Sequence, residues 1–155
     1  MRRFLFALLF LAGAAPLNAQ PHALARLENS PRHLEWTTLD AGAGRKLHAF
    51  VAWPERHADA LAIIVIHENR GLTDWEPTVA DEYAKKGYVA IAPDLLSSRY
   101  GSAKALGDSV TRMIGTLKRE DVVADLDATY QWIAAQPATN KDRVGVIGFC
   151  WGGGT

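Results

Sequence analysis

Three short apolar runs constrain this chain more than any other feature: residues 61–68 (LAIIVIHE), 88–96 (YVAIAPDLL) and 143–149 (RVGVIGF). Each is continuous in Ile, Val, Leu and Ala rather than alternating with polar residues. That pattern suits a strand buried on both faces, as in a parallel sheet covered by helices on either side. Helical stretches separate the runs. In 75–87 (WEPTVADEYAKKG), Trp75, Val79 and Tyr83 recur every fourth residue. Thr73 and Glu76 have the spacing of a capping box, Pro77 is tolerable in a first turn, and Gly87 stands where a C-terminal cap belongs. In 121–136, Val122, Val123, Leu126, Tyr130, Ile133 and Ala134 form the expected core stripe, and Pro137 ends the helix. A shorter helix is expected over 109–118, after a Ser/Gly-rich loop.

Strand, helix, strand, helix, strand is the βαβ pattern of a parallel α/β sheet, one domain at 155 residues. Ahead of it, 34–39 and 46–53 read as a hairpin around the turn DAGAGR. Residues 20–33 show no period and read as an N-terminal lead. Trp36, Trp53, Trp75 and Trp132 read as packing residues.

The first nineteen residues are set apart. MRRFLFALLFLAGAAPLNA begins with Arg2 and Arg3, continues with an apolar run too short to span a bilayer, and ends on small residues before Ala19. This is the form of a secretory signal peptide, residues 1–19, cut after Ala19. The expectation is an exported protein, periplasmic or secreted, with an uncleaved anchor as the alternative. Charge is balanced, 17 basic against 17 acidic, with no charge run, so nothing marks a nucleic-acid partner. Cys150 is the single cysteine. No intrachain disulfide can form, which leaves a buried inert thiol or a reactive one.

In open α/β sheets, ligands bind at the carboxyl ends of the strands. Those ends carry His67-Glu68-Asn69, Asp94 and Cys150. Gly148-Phe149-Cys150-Trp151-Gly152 has the small-x-nucleophile-x-small form of a nucleophile elbow, a strand-to-helix turn so tight that larger flanking side chains would collide. Such a turn exposes the nucleophile in a strained backbone conformation, and the N–H groups after it can receive a developing oxyanion. The alternative is a small core residue beside glycines that only pack a helix against a strand. HENRG lacks the second histidine of a helical zinc pair, and neither a P-loop nor a dinucleotide-binding glycine signature occurs.

On these residues the chain resembles the dienelactone hydrolase family of the α/β-hydrolase fold. HENRGL, APDLL and GFCWGG occur in the family's order, and the resemblance runs from about Leu34 to the end. It implies an incomplete domain over 34–155, a three-layer sandwich with a mostly parallel central sheet whose C-terminal part is missing. It implies a hydrolase for lactone or carboxylic ester bonds, acting on a small molecule without cofactor or metal. Cys150 would be the nucleophile. The backbone N–H groups of Asn69 and Trp151 would form the oxyanion hole. Glu68 would interact with the resting thiol and help to generate the thiolate. A carboxylate can take that proton if burial raises its pKa; pairing with Arg70 is the alternative. Arg99 is a candidate for holding a substrate carboxylate, with a solvated surface arginine as the other reading. His67 is expected to be structural, fixing the loop before the oxyanion hole.

In α/β-hydrolases an acid and a histidine follow the nucleophile. Residues 151–155 contain neither. The expectation is therefore a fragment cut inside the elbow, with an open sheet edge, aggregation-prone alone and inactive as a hydrolase. Two other classes compete: a small-ligand-binding protein that keeps the fold, and a thiol redox protein, which would lack a resolving cysteine.

Overall fold

The computed structural model describes residues 19–55 and 59–155. The expected signal peptide lies almost wholly outside the described residues. Five strands form one sheet in the order β1-β2-β4-β3-β5. β1 (Leu34–Asp40) and β2 (Lys46–Ala52) are the expected hairpin, paired from Leu34 opposite Ala52 to Asp40 opposite Lys46. The Asp40 carboxylate accepts the Gly42 N–H at 2.9 Å and stabilises the turn. β2 pairs antiparallel with β4 (Val89–Pro93), β4 parallel with β3 (Ala60–Ile66), and β3 parallel with β5 (Thr139–Gly148).

The continuous apolar runs are explained by two cores. Successive residues of a strand point to opposite faces. Ala62, Ile64 and Ile66 of β3 join Val51, Val89 and Ile91 on one face, under Val122 and Ile133. Ile63 and Val65 join Phe50, Ala90 and Ala92 on the other, under Ala80 and Ala84. The first face is covered by α5 (Arg119–Ala134) and the second by α2 (Trp75–Lys85). Between β4 and α5 the chain makes two short helices, α3 (Ala103–Leu106) and α4 (Val110–Ile114).

Three expectations change. The lead over 20–33 is in part a helix, α1 (Ala19–Glu28), packed on α2. It buries Ala23 and leaves Leu24 exposed, so it carries too few apolar residues for a visible period. The helix expected over 109–118 is only the short α4. The core stripe of α5 is rotated: Val122, Asp125, Thr129 and Ile133 are buried, whereas Val123 and Tyr130 are 45% and 46% exposed. An aspartate can occupy a buried stripe when cations meet it there, and two arginines do. β5 stands at the edge of the sheet and is not buried on both faces. Only β3 flanks it among the described residues, and Val146 is 62% exposed.

The tryptophans pack in pairs. Trp53 and Trp132 lie 6.4 Å apart between hairpin and α5, Trp36 meets the edge of Phe50, and Trp75 meets Phe149. Trp36 and Trp75 nevertheless keep an exposed face.

Candidate active site

β3 and β5 run parallel with Ile66 opposite Gly148. Glu68 and Cys150, each two residues beyond that pair, therefore leave adjacent strands at the same level. After Gly148 the backbone is extended at Phe149, whose N–H donates to Ile66 O at 3.2 Å. It then turns sharply. Cys150 has φ of +51°, a left-handed conformation that costs a non-glycine residue about 1–3 kcal/mol. A 3-10 turn over Cys150–Gly154 follows, and Gly152 N–H donates back to Phe149 O at 2.9 Å.

The flanking glycines are sterically required. A Cβ on Gly148 would collide with the Gly152 carbonyl. A Cβ on Gly152 would lie 2.6 Å from His67 O and 2.7 Å from Ile66 Cγ2. Neither clash is with a flexible side-chain tip. The elbow geometry read from GFCWGG is present, and the Cys150 side chain at its apex is exposed.

The facing loop, 67–74, is held from three sides. Gly71 has φ of +72° and presses against α3, where a Cβ would lie 2.6 Å from Ala103 Cβ. Glu76, at the start of α2, is fully buried. Its carboxylate accepts the Thr73 N–H and Thr73 Oγ1–H, each at 2.9 Å, and the Glu68 N–H at 3.4 Å. Thr73 Oγ1 in turn accepts the Trp75 N–H at 3.3 Å, so the Glu76 half of the expected capping box forms, with Asp74 rather than Thr73 at the N-cap. Burial raises the Glu76 carboxyl above its ordinary value, against the pull of these donors. His67, also fully buried, donates from Nδ1 to Glu68 O at 2.8 Å and stacks on the Trp151 indole, ring centroids 5.4 Å apart and planes 13° from parallel. Burial lowers the His67 pKa to about 4, so the ring is neutral near pH 7.

Loop and elbow are thus one packed unit, tied by His67 on Trp151 and by Phe149 against Trp75, centroids 4.6 Å apart. Among the described residues, neither the Asn69 N–H nor the Trp151 N–H has a protein acceptor. Glu68 is half-buried, and no ion pair with Arg70 forms among the described residues. Asp94 is buried and ties its own loop, accepting the Leu96 and Ala103 N–H groups at 3.2 and 2.9 Å.

Arg99 does not join this cluster. Its Nη1 lies 2.5 Å from Asp125 Oδ2 and its Nη2 3.0 Å from Asp121 Oδ1. Arg45 meets the other Asp125 oxygen at 2.5 Å. The Arg99 guanidinium is thus engaged by two carboxylates of α5. Sequence reading also missed Glu76 as a loop anchor and treated it only as a helix cap. The one available signal was its position three residues after Thr73, the spacing that lets a carboxylate reach back to the preceding loop. A cleft of about 530 Å³ opens beside the loop, lined by Arg70, Thr73, Asp74, Lys104, Asp108 and Thr111 among others, but it does not reach Cys150 or Glu68.

The family model described as "Dienelactone hydrolase family" matches residues 47–155. The chain belongs to the dienelactone hydrolase family. Among its relatives, a Yersinia pestis protein named "Putative carboxymethylenebutenolidase" is 31% identical over 134 residues, covering 84% of this chain and 49% of that protein. A Bradyrhizobium sp. protein named "Probable 2-oxo-3-(5-oxofuran-2-ylidene)propanoate lactonase" is 28% identical over 120 residues, covering 77% and 48%. The chain spans about half the length of the curated relatives it matches. Among solved structures, a dienelactone hydrolase described as putative, from Klebsiella pneumoniae subsp. pneumoniae MGH 78578, superposes with a TM-score of 0.68 at 28% identity, over 78% of this chain and 51% of its own. An esterase of Pyrobaculum calidifontis, 20% identical with a TM-score of 0.59, covers 86% of this chain and 41% of its own and shows the shared fold alone. The architecture is part of an α/β-hydrolase fold, mixed at the hairpin and parallel from β4 onward.

Proposed function

We propose that the protein hydrolyses a lactone or carboxylic ester through Cys150. The observation that carries this reading is the cysteine itself, held at φ of +51° between two glycines that have no room for a Cβ.

In the proposed reaction the Cys150 thiolate attacks the substrate carbonyl carbon, and the carbonyl π electrons move to oxygen. The Asn69 and Trp151 N–H groups receive that oxyanion, a role supported by their lack of protein acceptors. Collapse of the tetrahedral adduct breaks the C–O bond and leaves a thioester on Cys150, with the leaving oxygen taking a proton. Water then attacks the thioester, releasing the acid and restoring the thiol. Glu68, level with Cys150 across β3 and β5, is the carboxylate proposed to take the thiol proton. No residue after Cys150 in these 155 supplies the acid and histidine that complete such a mechanism, so the 155 residues expressed alone are proposed to be inactive. Residues 1–19 are proposed to direct export, supported by Arg2, Arg3 and the short apolar run that follows.

The test is hydrolysis of p-nitrophenyl acetate by the full-length protein, with mass spectrometry of the quenched reaction. The reading requires an acetyl mass on the peptide containing Cys150, absent from Cys150→Ala. Undiminished turnover by Cys150→Ala, or binding of ester without hydrolysis by the wild type, would overturn it.

A further inference from the structure

We propose that His67 is a positioning residue for the oxyanion hole: its Nδ1–H, bound to the Glu68 carbonyl, sets the direction in which the Asn69 N–H points. This rests on the hydrolase reading above and deepens it.

The Glu68 carbonyl and the Asn69 N–H belong to one peptide group. In a trans peptide they point in opposite directions, so whatever orients the carbonyl orients the N–H. Two donors orient this carbonyl, His67 Nδ1 at 2.8 Å and the Gly71 N–H at 3.1 Å. A carbonyl only accepts, so Nδ1 must carry the ring proton, which leaves Nε2 as a bare acceptor. That Nε2 is buried and has no partner among the described residues. An orphaned buried nitrogen is unfavourable, and an apolar side chain of similar size would avoid it. What an apolar side chain lacks is the Nδ1–H. The ring also lies flat on the indole of Trp151, whose backbone N–H is the other proposed donor. One buried imidazole therefore meets both the peptide group that carries the Asn69 N–H and the side chain of Trp151. Donation to the Glu68 carbonyl further polarises the peptide and makes the Asn69 N–H a stronger donor. Glu76 restrains the preceding peptide through the Glu68 N–H, so both peptide groups of Glu68 are held.

The experiment compares His67→Leu and His67→Asn in the full-length protein with p-nitrophenyl acetate. Asparagine can place its Nδ2–H near the position of Nδ1–H; leucine fills the space without a donor. His67→Leu should lower kcat by about 10- to 100-fold with KM within about 2-fold, because the interaction is made in the transition state. His67→Asn should recover kcat to within about 3-fold of wild type. Nitrogen NMR of the folded wild type should show the Nδ1–H tautomer at pH 7. Equal losses in the two variants would mean that packing alone matters and would overturn the proposal, as would the Nε2–H tautomer. An active wild type beside an indifferent His67→Leu overturns this proposal alone. A wild type that cleaves no ester overturns the hydrolase reading, and this proposal with it.

Discussion

The polar clusters around Asp125 and around Cys150 are built differently. Around Asp125 every charge is matched: Arg45 and Arg99 take its two oxygens, Ser98 adds a hydroxyl at 2.7 Å, and Thr129 closes onto the helix backbone at 2.8 Å. Around Cys150 groups are left unmatched or strained. Cys150 has a positive φ, His67 Nε2 has no partner, and the Asn69 and Trp151 N–H groups face no protein acceptor among the described residues. The first cluster joins hairpin, β4 loop and α5. The second keeps bonding capacity in reserve, as a site that must bind something does. A satisfied network contributes to holding a fold; unsatisfied groups persist only where surrounding packing over-determines them.

The contrast can be broken most severely at Cys150, the proposed nucleophile. Cys150→Ala should lower ester hydrolysis by the full-length protein by at least about 10³-fold while its urea midpoint moves little. Gly152→Ala should damage both properties, since the new Cβ meets backbone at 2.6 Å. A loss of about 2–4 kcal/mol in urea unfolding, together with lost turnover, is expected for such overpacking beside an elbow. Asp125→Ala should separate the clusters in the opposite sense. It leaves Arg45, 26% exposed, without its carboxylate and Arg99, 14% exposed, with Asp121 alone, and should cost about 3 kcal/mol of stability, with turnover per folded molecule nearly unchanged.

Titration sharpens the comparison within the active-site loop. The folded His67 pKa is about 4 against an ordinary 6.5, so the unfolded chain binds more protons between those values. The contribution of His67 is fully present above pH 6.5 and is lost as pH falls toward 4. Glu76 has the opposite sign. Its folded pKa is raised above 4.5 by burial, so the fold is favoured while the carboxyl is protonated and loses that contribution as pH rises through the folded value. In urea unfolding as a function of pH, His67→Asn should therefore flatten the acid limb below pH 6.5. Glu76→Gln should gain on the wild type as pH rises from 4.5. The smallest effect is expected at the exposed pair Arg26–Glu82, where Arg26→Ala should change stability by less than about 0.5 kcal/mol.

Much of this was legible in the residues. Runs such as LAIIVIHE have no polar face, and a strand of that kind needs cover on both sides. GFCWGG allows few backbone paths because two of its positions exclude a Cβ. The Thr73–Glu76 spacing announced the start of α2, and the hairpin followed from its turn residues. The site was legible as a set of adjacent strand ends, but not as a network. Nothing local told that Glu76 would reach Glu68 or that His67 would lie on Trp151. The residues alone left the role of Arg99 open, because a guanidinium in a loop looks the same whether its partner is a ligand or an aspartate on a distant helix.

Local sequence thus determined which segments became strands and helices, their order, and the strained turn at Cys150, because backbone sterics and apolar periodicity act over a few residues. Tertiary structure decided the rotation of α5 that buries Asp125, the short α1, and the partners of Arg99, His67 and Glu76. Each of those outcomes depends on which groups meet across tens of residues, where burial makes a charge or lone pair costly unless a remote partner arrives to satisfy it.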